Sequence, residues 1–390
     1  MLIEFHLLQS FAPANLNRDD TGTPKDCEFG GVRRSRISSQ CLKRTMRTWV
    51  RERNLMDAEH LARRTRLLRN EIADRMVNAG AAEREDAELV VTAALQGMGY
   101  SMGEDGRTQV LIFLGADELD ALANACSDHQ VVLLESAKNA AAKAPGGRSG
   151  KIEVPEVVKK ALQKTLGGKS AADLAMYGRM LAEMPDRRVD AASQVAHAIS
   201  THRATIEFDY FTAVDDLKTL DDDAGAGMLG TVEFTSACYY RYQNVHVEQL
   251  VKNLGGDVAL ATQATSAFLR AAVEAVPTGK QNSMAALNPP ALALAVVRDG
   301  GGGWSLANAF EKPVPTGGME GLVRESIRRL DAEFNTMNRL YGEWAGVRQV
   351  LCCTAGYAAE LTALGGDRVV ESLPELISRT VETAFDLVPV

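Results

Sequence analysis

A short apolar stretch over residues 2–8 stands apart from every later strand-like segment, and that separation constrains the fold more than anything else in the chain. Ile3, Phe5 and Leu7 share one face of a strand, while Leu2 and Leu8 break the alternation. From about residue 54 to 169 the chain is Ala-rich and reads as helix. Helices are predicted over 64–76, 86–98, 117–125 and 155–166, with a small, basic linker at 140–151. Strands resume at 174–180, 231–242, 291–298 and 347–353. They are mixed with helices at 247–254, 258–276, 321–344 and 370–385. Strands scattered among helices without strict alternation indicate an α+β fold, with the helical block as an insertion.

The chain has 390 residues, 46% hydrophobic and 24% charged, enough to bury a core. No apolar run approaches the roughly 20 residues of a membrane span. The start MLIEFHLLQSF lacks the basic n-region of a secretory signal. Six cysteines without a C-x-x-C pair argue against a disulfide framework or zinc ribbon. The expectation is a cytoplasmic protein with reduced thiols. The net charge of -8 speaks against nucleic-acid binding, but it hides an asymmetry. Between Arg33 and Arg69 twelve basic residues face three acidic ones. That stretch carries +9 and leaves -17 on the remainder.

The motifs of enzyme sites are weak. Gly225-Ala226-Gly227-Met228-Leu229-Gly230 matches G-x-G-x-x-G, but acids precede it and a strand follows it, the reverse of a dinucleotide fold. Gly168-Lys169-Ser170 lacks the first glycine of a phosphate loop, because position 163 is Gln163. His197 and His202 are spaced poorly for a shared metal and read as ordinary half-buried histidines. Asp19-Asp20, Asp215-Asp216 and Asp221-Asp222-Asp223 read as turn residues. No cofactor, metal or catalytic constellation is expected.

The strongest physical feature is a basic helix. Ser38 or Ser39 can cap it, and Leu42, Met46, Trp49 and Val50 form its apolar face. Lys43, Arg44, Arg47 and Arg51 fall on the opposite side, between about 100° and 200° from Leu42. Arg18, Lys25, Arg33, Arg34 and Arg36 lead into its N-terminus at Ser38-Ser39-Gln40. Free backbone N–H groups there make an anion site, and Lys43 and Arg47 could reach successive phosphates.

Here the residues resemble a known family. Asn17-Arg18-Asp19-Asp20, Lys25-Asp26, Phe29-Gly30-Gly31, Arg33-Arg34-x-Arg36-Ile37-Ser38-Ser39-Gln40 and Leu42-Lys43-Arg44-x-x-Arg47 look like the opening of the CasC family. That family, within the RAMP superfamily, supplies the backbone subunit of the type I-E CRISPR Cascade surveillance complex. The resemblance continues at Gly178-Arg179-Met180, Ala196-His197-Ala198-Ile199-x-Thr201-His202 and Phe211-Thr212-Ala213-Val214-Asp215-Asp216-Leu217. It recurs at Leu229-Gly230-Thr231-x-Glu233-Phe234, Tyr240-Arg241-Tyr242 and Ala307-Asn308-Ala309-Phe310-Glu311-Lys312. The blocks are collinear from residue 17 to 312.

The resemblance implies an RRM-like (ferredoxin-like) palm made of residues 1–53, 171–202 and 231–390. It implies helical fingers at 54–170 and a thumb at 203–230. It implies a non-catalytic subunit that polymerises along a CRISPR RNA with further copies of itself and other Cascade subunits, and presents the guide to target DNA for antiviral defence. By matching position, Arg18, Lys25, Ser38, Gln40, Lys43 and Arg47 would contact the guide backbone, with Arg44 on the same basic face. Met180 and Leu229 would wedge beside displaced bases. Tyr210, Phe211 and Thr212 would lie near the guide–target duplex. Phosphate contacts position RNA without reading it, as a subunit that accepts any spacer requires. Two other readings stay open. One is a ribonuclease of the same superfamily using Asp20, Asp26 or Asp215. The other is a plain α+β scaffold with a solvated basic helix.

Overall fold

The computed structural model describes residues 1–142, 152–181, 184–213, 228–300, 302–317 and 320–386. They form two compact units. One comprises Met1–Arg53, Ser193–Val247 and Thr265–Val390. The other comprises Asn54–Ala192 and Glu248–Ala264. Among the described residues, no helix is long and apolar enough to cross a membrane.

The first unit is built on a large antiparallel sheet. Its strands begin with β1 (Leu2–Ala14), β2 (Asp26–Phe29) and β3 (Val32–Ile37). A long strand, Met228–His246, pairs with β1 from Leu2↔His246 to Phe11↔Ala237, and the register then shifts before Ala14↔Thr235. Across the sheet the order is Val347–Thr354, Leu292–Arg298, β1, the long strand, Ala198–Ser200, β3 and β2. Ser193–Val195 and Glu207–Ala213 also pair with the long strand. β1 is therefore central. Every residue from Leu2 to Leu8 is buried, which is why its sequence lacks clean alternation.

The basic helix forms as α1 (Ser39–Glu52), with Leu42, Met46 and Val50 buried. The helix Leu322–Tyr341 packs Ile327, Leu330 and Phe334 with Leu8, Tyr240, Tyr242 and Leu294 of the sheet. The helix Leu373–Phe385 starts three residues later than the hydrophobic pattern suggests, because Ser372 caps it and Pro374 occupies its first turn. One ion pair lies wholly inside the sheet. The buried Glu4 carboxylate accepts from Arg298 Nε at 2.6 Å, and Arg298 Nη1 donates to the Ala345 carbonyl at 2.6 Å. Burial, with Arg298 nearby, pushes His6 down to about 3, so that ring stays neutral against Tyr240.

The second unit is mostly helical and contains Leu68–Asn78, Arg84–Gly97, Ala116–Asp128, Gln130–Ala142 and Glu156–Lys164 around one apolar core. Residues 63–65 are a short strand paired with Ile112–Leu114, not the first turn of a helix. The strand expected at 174–180 is a correction. Ala172–Tyr177 is a helix that ends at Gly178, and a short apolar run is compatible with either element when both faces are buried. Residues 171–192, assigned to the palm on resemblance, cluster with this helical unit. Asp215, Asp216 and Gly225-Ala226-Gly227 lie outside the described residues, as does most of the 140–151 linker.

Candidate nucleic-acid interface

The polar stretch before α1 is a folded platform. Asp19 organises its turn by accepting from the Thr21 and Thr23 amides and the Thr21 hydroxyl. The Thr21 hydroxyl bond and the amide bonds hold its carboxyl below the usual range. Lys25 N–H donates to the Asn17 carbonyl at 2.9 Å, and Arg36 N–H donates to the Lys25 carbonyl at 2.8 Å. Asn17 Oδ1 accepts from Ser38 N–H at 2.8 Å, tying the turn to the helix start.

Ser38 is extended (φ -68, ψ 147), and its hydroxyl oxygen accepts from Cys41 N–H at 3.3 Å. The Ser38 carbonyl takes the Leu42 N–H. The Ser39 and Gln40 amides therefore sit in the helix turn that has no carbonyl of its own to bond. No acidic residue lies in that turn, so the helix itself supplies nothing to offset the positive end of its dipole, although Asp19 and Asp20 line the space above it. A cleft of about 700 Å³ opens above it, lined by Asn17, Arg18, Asp20, Ser38, Gln40, Cys41 and Arg44. Arg18, Gln40 and Arg44 are exposed, while Lys25, Lys43 and Arg47 are half-buried. Burial holds Lys43 below the usual lysine range.

The structure separates exposed and half-buried cations from enclosed or paired ones. Arg34 is fully buried. It donates to the carbonyls of Phe29, Ser200, Phe310 and Glu311 at 3.2, 3.1, 2.7 and 3.0 Å. At the adjoining Gly30-Gly31 turn, Gly30 has φ +62 and a Cβ there would collide with the Glu311 carbonyl. Three of the blocks quoted above, at 29–31, 33–40 and 307–312, thus meet in one structural knot. Arg33 pairs with Asp26, Arg63 with Glu71 and Arg69 with Glu88. Arg53 lies over the Trp49 ring at 4.5 Å. The +9 of the sequence therefore overstates the charge available to a ligand.

The reading of His197 as an ordinary half-buried histidine is corrected. His197 is exposed, and Arg36 Nη1 lies 3.0 Å from its Nδ1. Partial burial, then Arg36 and Lys25, hold its pKa below the ordinary value. Lys25, Arg36 and His197 thus converge, as a phosphate site would require. His202, by contrast, is structural: Nδ1 bonds the Arg203 carbonyl and Nε2 accepts from Cys238 N–H. Thr278 and Gly279, also unforeseen, line the cleft from a distant part of the chain. Because an anion would raise the lowered pKa of His197, binding should take up a proton. Affinity for a phosphate ligand is expected to rise as pH falls into the acidic range where His197 protonates, and His197→Gln should remove that dependence. A titration of Kd against pH checks this.

Met180 belongs to the helical unit and is 81% exposed. Tyr210, Phe211 and Thr212 lie on the Glu207–Ala213 strand, whose residues are all exposed. Thr212 is in register with Leu229, whose side chain lies outside the described residues. Of the carboxylates considered for catalysis, Asp20 lines the cleft and Asp26 is paired with Arg33. Among the described residues no group of three or more His, Cys, Asp or Glu could hold a metal ion.

Comparison with known proteins adds an independent line. One chain from a CRISPR RNA-guided surveillance complex, pre-nicking, is 31% identical, with a TM-score of 0.83 over 98% of this chain and 100% of that one. Another, from a CRISPR RNA-guided surveillance complex, is 26% identical with a TM-score of 0.73 over the same shares. No curated protein matches. Residues 3–379 match the family described as CT1975-like protein, so the chain belongs to this family of Cas proteins.

Proposed function

We propose that this chain is a non-catalytic, guide-RNA-binding backbone subunit of a type I-E Cascade complex, working in the cytoplasm. The observation that carries the reading is the cleft over the start of α1, lined by Arg18, Gln40 and Arg44. It lies in a chain that matches one from a CRISPR RNA-guided surveillance complex over 98% of its length. Lys25, Lys43, Arg47, Arg36 and His197 extend the basic surface. In this reading the sheet unit is an RRM-like palm, the helical unit the fingers, and Glu207–Ala213 with the start of the long strand a thumb. Phosphates are held without sequence preference, and specificity comes from guide–target pairing. Met180 and Leu229 displace bases at regular steps. The chain then repeats along the guide, beside other Cascade subunits and over target DNA.

The direct test is the nucleic acid that copurifies with the protein, sized and sequenced, which should be a repeat-derived transcript. Lys43→Ala should weaken binding equally for all RNA sequences. It should flatten the slope of log K against log[salt] by about 0.7, the value for one single-strand phosphate contact. An unchanged slope removes Lys43 from the interface. Asp20 keeps one enzymatic alternative testable, because of the two suspected aspartates among the described residues, Asp20 and Asp26, it is the one that lines the cleft. Discrete RNA cleavage with Mg²⁺, lost in Asp20→Asn, would replace the structural reading with a ribonuclease.

A further inference from the structure

A buried ion pair stands directly behind Met180. Gly178 ends the preceding helix with φ +77, and a Cβ there would lie 2.9 Å from the Ala191 nitrogen and the Val189 carbonyl oxygen. Only glycine makes this turn without strain. Arg179 then joins Val189 by two backbone bonds, its N–H donating at 2.8 Å and its carbonyl accepting at 3.0 Å. Its side chain points inward. Nη1 donates to Glu118 Oε2 at 2.6 Å and to the Phe113 carbonyl at 3.2 Å, and Nη2 donates to the Arg187 carbonyl at 3.3 Å. Both partners are almost wholly enclosed, with side chains 2% and 1% exposed. Glu118 also accepts from the Gly115 and Gly168 amides at 3.0 and 3.2 Å.

Burying two charges is costly, and apolar residues of similar volume would often stabilise a fold as well or better. What the pair supplies here is connection. Segments at 113–118, 168, 179 and 187–189 all converge on the residue preceding Met180. Next in the chain is one of the most exposed large apolar side chains of the protein. Methionine itself is flexible, so any stiffness must come from the backbone that carries it. A wedge that separates stacked bases must resist their tendency to restack.

We propose that the Arg179–Glu118 pair is a positioning device that holds the Met180 backbone rigid, so that Met180 acts as a fixed wedge against an unstacked base of single-stranded RNA. The inference rests on the reading of Met180 as that wedge. It adds two residues that never touch the RNA and act through a third.

The test uses the full chain and a guide RNA carrying 2-aminopurine at the displaced position. Fluorescence should rise on binding to wild type. Met180→Gly should abolish the rise; a wild-type rise would overturn the wedge reading and this proposal with it. Arg179→Gln should leave RNA affinity within about twofold and the salt slope unchanged, because its effect is not on phosphate contacts. The fluorescence rise should fall by at least half, and further when the flanking bases are purines, which stack more strongly. Arg179→Lys, which keeps the charge, should recover part of the signal. A full wild-type signal in folded Arg179→Gln, with Met180→Gly dark, would sink the positioning role alone. Should Arg179→Gln fail to fold, hydrogen exchange of the wild-type protein decides: the Arg179 amide should be protected without RNA, and rapid exchange there would overturn the proposal.

Discussion

Arg34→Met is expected to lower folding stability by about 3–5 kcal/mol, the range for a buried group that leaves several acceptors unsatisfied. The Arg34 guanidinium bonds four carbonyls, at Phe29, Ser200, Phe310 and Glu311. A methionine of comparable length fills the space but donates nothing. Burial already depresses the Arg34 pKa, so the cation persists through those bonds rather than through solvation. The neighbouring Arg33→Met makes the same change in net charge. Its side chain is 61% exposed in a pair with Asp26, and it should cost no more than about 1 kcal/mol. Urea unfolding of the two variants separates the accounts. A difference below about 1 kcal/mol between them would mean that Arg34 is not the knot joining β3 to the 310–311 segment.

The second large effect concerns the interface. Arg18→Glu, Lys43→Glu and Arg44→Glu together should weaken RNA binding about 1000-fold at physiological salt, roughly tenfold for each charge-assisted contact. The slope of log K against log[salt] should flatten by about 2, from three contacts at about 0.7 each. Arg18 and Arg44 are exposed and Lys43 is half-buried, so the fold should survive. The loss should be the same for RNAs of any sequence. A sequence-dependent loss would mean that these residues meet base edges rather than the sugar–phosphate chain. An affinity within tenfold of wild type would place the guide elsewhere on the subunit.

Helices with a strong one-sided pattern were legible from residue spacing. In α1, Leu42, Met46 and Val50 are buried as the 3.6-residue period requires, and Arg44 and Arg51 are exposed. β1 was legible only as a fragment. Its central place in the sheet buries both faces to Leu8 and extends the strand to Ala14, beyond the apolar run. The hairpin β2–β3 was not legible. Its residues are Asp26-Cys27-Glu28-Phe29 and Val32-Arg33-Arg34-Ser35-Arg36-Ile37, which carry charges where strands usually carry apolar groups. The stretch at 174–180 failed for the opposite reason: its apolar residues suit a buried helix as well as a strand.

The interface divides in the same way. The amino-acid sequence alone determined that a basic helix follows an early strand, and that a helical block interrupts the strands, because periodicity and charge spacing are local properties. Only the tertiary structure decided which cations are left for a ligand. Arg33 and Arg34 are adjacent in sequence, yet one lies in an exposed pair and the other is enclosed by carbonyls from residues 29, 200, 310 and 311. His197 joins Arg36 across 161 positions, and Thr278 reaches the cleft from farther still. A charge pattern is written along the chain, but the free energy of a charge depends on the solvent and partners around it, and those are set by segments that only folding brings together.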